Sequence, residues 1–117
     1  MVGKPLRVLI IEDSENDALL LVKQLRQSGY SPDYQVISSP AELESALKRP
    51  GWDVIFSDYL LPGFSGLEAL KMVQESGTDI PCILISGGID EETAVAAMKA
   101  GARDYIMKSN LKRLGPA

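Results

Sequence analysis

The chain has no histidine, a single cysteine and no long apolar run, and each absence excludes a class of function. Without histidine there is no imidazole to act as a general base, to bind a metal or to carry a phosphoryl group. One cysteine excludes an internal disulfide and a zinc site built on cysteines. No apolar run approaches the roughly 18 residues of a membrane-spanning helix. The run at residues 6–11 is also too short for a signal peptide, so we expect a cytoplasmic protein.

Cationic side chains are also in deficit, with 12 Lys and Arg against 16 Asp and Glu and a net charge of −4. Nucleic acid and anionic membranes bind clustered cations, so this balance predicts neither as a partner. Apolar residues make up 45% of the chain, which is enough to form a core. The length of 117 residues indicates a single domain.

Short apolar runs alternate with stretches of helical periodicity along the whole chain. The runs predict strands at residues 7–11, 34–37, 53–57, 82–85 and 105–107. Helices are predicted over 14–29, 40–48, 65–76 and 90–100, and residues 58–65 are predicted to form a loop. This alternation predicts an α/β fold, a doubly wound sheet of five parallel strands. Only seven residues follow Asn110, so the last helix would be short or truncated.

Polar side chains stand where four of these strands end. Glu12 and Asp13 follow the first strand, Asp58 the third, Ser86 the fourth and Lys108 the fifth. Each of them alone fits a turn, a helix cap or a surface charge. The carboxyl ends of parallel strands meet at one edge of the sheet, where ligands bind, so we expect all five side chains to lie together.

This set of groups suits phosphoryl chemistry on a divalent cation. Three carboxylates without nitrogen or sulfur ligands favour Mg²⁺ or Mn²⁺. An ionised carboxylate can itself attack phosphorus and form an acyl phosphate, without a general base. Lys108 and Ser86 could then stabilise the oxygens of the transferred group.

In this order, the motifs resemble the receiver domain of two-component response regulators, which has the fold of the chemotaxis response regulator. The resemblance covers about residues 6–114 and rests on the acidic pair, on D-x-x-x-P-x-x-x-G at 58–66, on Ser86-Gly87 and on residues 100–108. It implies one receiver domain over residues 1–117, with a flavodoxin-like sheet in the strand order 2-1-3-4-5.

The resemblance also implies roles for single residues. Asp58 would accept a phosphoryl group from the phosphohistidine of a sensor histidine kinase or a histidine phosphotransfer protein. The metal ligands would be Glu12, Asp13, Asp58 and the backbone carbonyl of Leu60. Ser86 and Lys108 would stabilise the phosphoryl group. Ser86 and Tyr105 would form a switch that changes the surface around the fourth helix and the fifth strand. The domain would be regulatory rather than an enzyme, catalysing only its own phosphorylation and slow dephosphorylation.

The sequence departs from the family's pattern in two respects. Lys108 is followed by Ser109 where proline, often with a cis bond, is common; we expect a trans bond, because cis before serine costs about 3–4 kcal/mol. Leu60 and Gly88 flank the expected path of a hydrolytic water, and neither side chain can hydrogen-bond to it. We therefore expect slow self-dephosphorylation.

Other functions remain open at this point. The chain could be the receiver module of a longer hybrid sensor histidine kinase, or a degenerate receiver that acts only in binding. A small Mg²⁺-dependent aspartyl phosphatase of the haloacid dehalogenase type would need a second acid at the position of Leu60. A nucleotide-binding module would need a glycine-rich loop after the first strand, which is missing. The face of the fourth helix could also mediate formation of a homodimer.

Overall fold

The computed structural model describes residues 3–61, 63–87 and 91–109. Within these residues, strands and helices alternate as follows: β1 (Lys4–Ile11), α1 (Glu15–Gln27), β2 (Tyr30–Ile37), α2 (Pro40–Leu47), β3 (Val54–Asp58), β4 (Leu60–Leu61), β5 (Phe64–Ser65), α3 (Gly66–Glu75), β6 (Cys82–Ser86), α4 (Glu91–Lys99) and β7 (Asp104–Met107).

The main sheet has five strands in the order β2-β1-β3-β6-β7, and all of its pairs are parallel. This confirms the predicted doubly wound fold and the strand order 2-1-3-4-5. The chain moves outward from β1 to β2 and then returns to place β3 on the other side of β1. The strand order therefore reverses between β1 and β3, which is where open α/β sheets bind their ligands.

The two faces of the sheet bury separate apolar clusters, which explains why β1 is apolar on successive residues. The face covered by α1 contains Val8, Ile10, Ala18, Leu21, Val22, Leu25, Val54, Phe56 and Ile85. The opposite face includes Leu9, Ile11, Ile37, Leu43, Ile55, Leu70, Val73, Leu84 and Ala97, contributed partly by α2, α3 and α4. Both clusters hold the strands in place and fix where their ends emerge.

Serine caps start three of the helices at the edge where the strands end. The hydroxyl oxygens of Ser14, Ser39 and Ser65 each accept a hydrogen bond from the backbone N–H three residues later. Such caps satisfy N–H groups that lack a partner within the helix. These hydrogen bonds set the first turns of α1, α2 and α3 close to the strand ends.

The second strand is longer than predicted, because it begins at Tyr30 rather than at residue 34. Gly29, with φ of 97°, makes the turn out of α1, and β2 then pairs residue for residue with β1. The backbone N–H of Lys4 donates to the carbonyl of Gly29, and that of Glu12 to the carbonyl of Ile37. The backbone N–H and carbonyl groups of the odd-numbered residues of β2 thus point toward β1. Pro32 lies on the outer edge, where the missing N–H breaks no pairing.

The other differences are small or fall outside the described residues. The predicted loop at 58–65 contains the short antiparallel pair β4–β5. The residues that the structure describes do not include the predicted helix after Asn110, the predicted helix start at Asp90 or Gly88. In the described part of the chain, no helix is long and apolar enough to cross a membrane. The cytoplasmic location stays a prediction.

Candidate functional site

Three carboxylates meet at the point where the strand order reverses. Glu12 directly follows β1, Asp13 is next to it, and Asp58 ends the neighbouring strand β3. One oxygen from each of the three carboxylates lies within 4.8 Å of the others. We call Glu12, Asp13 and Asp58 the carboxylate triad. Such a set of hard oxygen donors fits a divalent cation such as Mg²⁺.

Lys108 joins the triad from the far edge of the sheet. The residue follows β7, and β6 separates that strand from β3, so the side chain has to reach over the end of β6. The Nζ atom lies 3.1 Å from Glu12 Oε2 and 3.3 Å from Asp58 Oδ2. The structure thus brings together four of the five predicted side chains.

Asp17 also contacts Lys108, although it was not among the predicted site residues. Its Oδ2 atom lies 2.6 Å from Lys108 Nζ, which makes it the nearest of the three acidic partners. Acidic residues in the first turn of a helix are common, because they favour the positive end of the helix dipole. The sequence did contain an indication of this contact. Asp17 lies four residues before Leu21 and eight before Leu25, on the face of α1 that is buried.

Burial and charge together perturb two of these groups. Glu12 is only 7% exposed, and burial raises its pKa to about 7. The hydrogen bond from the Ser14 N–H and the nearby Lys108 ammonium lower the pKa, but by less than burial raises it. Burial would lower the pKa of Lys108, but its hydrogen bonds to Asp17 and Glu12 outweigh this effect and raise it. Lys108 therefore stays cationic, and it partly neutralises an edge that carries an excess of negative charge.

Gly66 lets the start of α3 approach the backbone next to Asp58. Its N–H donates to the carbonyl of Tyr59 at 2.7 Å. A Cβ atom at position 66 would lie 2.8 Å from the carbonyl oxygen of Asp58, closer than real contacts allow. The glycine of the D-x-x-x-P-x-x-x-G pattern is therefore required by close packing.

Ser86 and Tyr105 lie on one face of the sheet, beside this site. Ser86 ends β6, one residue beyond the partner of Asp58 in the pairing of β3 with β6, and it is 9% exposed. Tyr105 pairs with Leu84, two residues before Ser86, so their side chains share a face. The Tyr105 ring packs edge-on against Tyr59, with centroids 6.2 Å apart and planes at 64°.

Two details concern the departures from the family's pattern. The Lys108–Ser109 peptide bond is trans, which confirms the prediction. The backbone N–H of Leu60 points toward Asp58 Oδ1 at 3.4 Å, and its side chain is 71% exposed. Leu60 thus presents an apolar side chain to solvent two residues after Asp58.

Comparison with known proteins separates several of the functions that the sequence leaves open. The family model described as the response regulator receiver domain matches residues 8–115. The chain belongs to this family. Receiver domains are regulatory phosphoacceptor switches of two-component systems, with histidine kinases in general as phosphodonor partners. The match favours a receiver domain over a phosphatase or a nucleotide-binding module.

Several proteins are similar to this receiver domain along most of its length. The response regulator ArlR of Staphylococcus saprophyticus is 34% identical over 102 residues, or 87% of this chain and 45% of that protein. The nitrogen assimilation regulatory protein NtrX of Azorhizobium caulinodans is 37% identical over 86% of this chain and 22% of its own length. The chain thus spans less than half the length of these relatives.

A solved structure shows the same fold. The receiver domain of the Francisella response regulator 1452 superposes with a TM-score of 0.78 at 24% identity. The match covers 92% of this chain and 88% of that one.

Proposed function

We propose that Asp58 of this receiver domain accepts a phosphoryl group from the phosphohistidine of a sensor histidine kinase or a histidine phosphotransfer protein. The observation that carries the proposal is the meeting of the carboxylate triad with Lys108, which lies 3.3 Å from Asp58. This meeting occurs where the strand order reverses. Asp58 ends β3 there, and its side chain is 11% exposed.

The chemistry follows from the ionised carboxylate. An oxygen of Asp58 attacks phosphorus, the new O–P bond forms, and the N–P bond of the phosphohistidine breaks. The imidazole of the partner leaves with the bonding electrons and takes a proton from solvent. No general base is needed, because the attacking group is already an anion.

Mg²⁺ or Mn²⁺ is the cofactor that the donor set fits. Glu12, Asp13, Asp58 and the backbone carbonyl of Leu60 would hold the ion. When bound, it would offset the negative charge of the triad and of the phosphoryl oxygens. Lys108 would pair with another phosphoryl oxygen and Ser86 would donate a hydrogen bond to a third.

The switch that we propose uses Ser86 and Tyr105. A dianionic group on Asp58 would draw the hydroxyl of Ser86 toward it. This movement would free space on the face of the sheet that Ser86 shares with Tyr105. Tyr105 would move into that space. Its edge-on contact with Tyr59, the residue after Asp58, supports this route. The surface of α4 and β7 would change as a result.

We further propose a long-lived phosphoryl state. Leu60 offers no group that could orient a water, and Gly88 offers none either. Replacing Leu60 by Asn should speed loss of the phosphoryl group by about tenfold, because one added hydrogen bond to the attacking water is worth about 1.4 kcal/mol. An unchanged rate of hydrolysis would reject this part of the proposal.

The broader assembly remains a proposal too. The same domain could work alone or as the receiver module of a longer hybrid sensor kinase. With its net charge of −4, the chain by itself is expected to bind no nucleic acid. Formation of a homodimer through α4 stays a prediction that measurement of mass in solution can check.

The test uses a small phosphodonor. The protein is treated with acetyl phosphate and Mg²⁺, and the modified residue is located by mass spectrometry. One phosphoryl group on Asp58 is expected, and none in Asp58→Asn. Replacing Lys108 by Met should slow labelling by about a hundredfold, as loss of a charge-stabilising donor does.

Asp79→Asn is the matched control. Asp79 is exposed and lies outside the candidate site, so its replacement should leave labelling unchanged. Labelling at another residue, or labelling of Asp58→Asn to the same extent, would refute the role of Asp58. Continuous release of phosphate would instead favour the phosphatase reading.

A further inference from the structure

The shortest contact of Lys108 is with a residue outside the carboxylate triad. Its Nζ atom lies 2.6 Å from Asp17, compared with 3.1 Å from Glu12 and 3.3 Å from Asp58. We propose that Asp17 is a positioning residue that competes with Asp58 for the Lys108 ammonium, and so weakens binding of a phosphoryl group. This inference rests on the proposed function and adds a regulator to the same site.

The local structure fixes Asp17 where it is. Its backbone N–H donates to the hydroxyl of Ser14 at 3.3 Å, and the next residue, Ala18, is buried in the core. The carboxylate therefore sits on an anchored helix start and cannot follow Lys108 far. Lys108, by contrast, has a long and flexible side chain, so the ammonium moves between partners while Asp17 stays.

Partial burial makes this contact matter. The side chains of Lys108 and Asp17 are 25% and 35% exposed. Charge-assisted hydrogen bonds of this length are among the stronger ones, and water screens them less here than at an open surface. Moving the ammonium away from Asp17 therefore costs free energy, and the interactions of the arriving phosphoryl group must offset it.

Phosphorylation changes the competition. The group on Asp58 would gain a charge of about −1.5 to −2 and three acceptor oxygens. The phosphoryl group therefore attracts Lys108 more strongly than the free carboxylate does. Asp17 opposes its binding in two ways, because it holds the Lys108 ammonium and because its negative charge repels the phosphoryl group. Both the competition and the repulsion weaken binding of the anion, so removing the charge of Asp17 should strengthen binding of a phosphoryl-like anion.

The opposite role predicts the opposite result. If Asp17 held Lys108 ready for the phosphoryl group, its loss would weaken binding of the anion. The direction of the change therefore separates competition from preorganisation.

The experiment measures binding of beryllofluoride, a non-covalent mimic of a phosphoryl group on a carboxylate, by fluorine NMR at saturating Mg²⁺. Asp17→Asn keeps the size of the side chain and removes its charge. We expect the half-saturating concentration of beryllofluoride to fall about fivefold, the upper end for a partly exposed ion pair. Asp17→Glu restores the charge and should return the value to that of the parent protein.

Glu15→Gln is the matched control. Glu15 is an exposed acid in the same turn of α1, and among the described residues it is not an ion-pair partner of Lys108. Its replacement removes the same charge from the same end of the helix. The half-saturating concentration should therefore change by less than about twofold, because screening weakens distant exposed charges.

A second measurement needs neither metal nor phosphoryl chemistry. Urea unfolding of the metal-free protein is measured for Asp17→Asn, Lys108→Met and the double variant. If the ion pair forms, the effect of Asp17→Asn on the unfolding midpoint should shrink or reverse once Lys108 is absent. Additive effects would refute the pairing.

The outcomes are distinguishable from failure of the proposed function. An unchanged or raised half-saturating concentration in Asp17→Asn overturns the competition, even if Asp58 is phosphorylated normally. If the parent protein neither binds beryllofluoride nor is labelled at Asp58, the proposed function fails. The double-variant cycle still reports whether Asp17 holds Lys108.

Discussion

The two edges of the sheet both carry clusters of charged side chains, but they balance these charges differently. Where the strands end, four carboxylates surround one ammonium: Glu12, Asp13, Asp17, Asp58 and Lys108. Toward the opposite end of the sheet, around Trp52 and Arg7, cations and carboxylates are equal in number: Arg7, Arg49, Asp33 and Asp53. The first cluster has an excess of negative charge that a divalent cation would largely offset, whereas cations and carboxylates are equal in number in the second.

The balanced edge is organised around Trp52. Its ring is 7% exposed, and its indole N–H donates to the carbonyl of Ala46 at 2.8 Å. The Arg7 guanidinium lies 4.7 Å from the ring centroid and donates to the carbonyl of Pro50 at 3.2 Å. The backbone N–H of Arg7 donates to Asp53 at 2.8 Å. These contacts tie the middle of β1 to the residues just before β3.

The comparison separates structural charges from functional ones. Charges that are matched within the chain stabilise the fold without calling for a ligand. Like charges held together are unfavourable until a cation arrives, and such arrangements persist where function requires them. Removing a charge should therefore have opposite effects on stability at the two edges.

The largest effect is expected from Trp52→Ala. It removes a buried aromatic ring and should lower the free energy of unfolding by about 3–5 kcal/mol. Labelling of Asp58 by acetyl phosphate should persist at temperatures where the variant is folded, because the site lies at the other edge. Urea unfolding and mass spectrometry measure the two quantities.

Trp52→Phe serves as the control for that variant. It keeps an aromatic ring and loses the hydrogen bond to Ala46, so about 1 kcal/mol should be lost. A loss of labelling in folded Trp52→Ala would show that the two edges are coupled.

An intermediate effect of opposite sign is expected for Asp58→Asn in the presence of EDTA. The triad loses a like charge, while Lys108 keeps Glu12 and Asp17, so the variant should be more stable by about 1 kcal/mol. Thermal unfolding measures this gain. Added Mg²⁺ should then stabilise the parent protein more than the variant, because the ion binds the folded triad.

Asp53→Asn is the matched change at the balanced edge. It weakens the hydrogen bond that Asp53 accepts from the backbone N–H of Arg7 and should lower stability by about 0.5 kcal/mol, with no response to Mg²⁺. If both variants shifted stability in the same direction in EDTA, charge balance would not distinguish the edges.

The sequence was sufficient for the fold and for most of the candidate site. Apolar runs located the strands, and the residues that follow them, such as Glu12, Asp58 and Lys108, pointed to one edge. This works because strand ends are local features, and a parallel sheet brings them together whatever their distance along the chain.

Contacts that depend on side-chain reach could not be predicted in the same way. Asp17 meets Lys108 only because α1 lies beside the strand ends and the lysine extends over β6. The packing of Tyr59 on Tyr105 depends on how the chain turns after Asp58. The early start of β2 was missed because Pro32 interrupts the strand pattern, although an edge strand tolerates it.

The smallest effect is expected from Arg49→Gln. The Arg49 guanidinium lies 5.7 Å from the centroid of the Trp52 ring and also donates to Gln35. Loss of the charge should cost about 0.5 kcal/mol of stability, the value of an exposed cation–π contact. Lys48→Gln is the control, since it removes a charge from the neighbouring position. Equal losses in urea unfolding of the two variants would mean that net charge, rather than contact with the ring, is what matters at this edge. A loss confined to Arg49→Gln would show that the balanced edge depends on specific partners, as the opposite edge depends on its excess of negative charge.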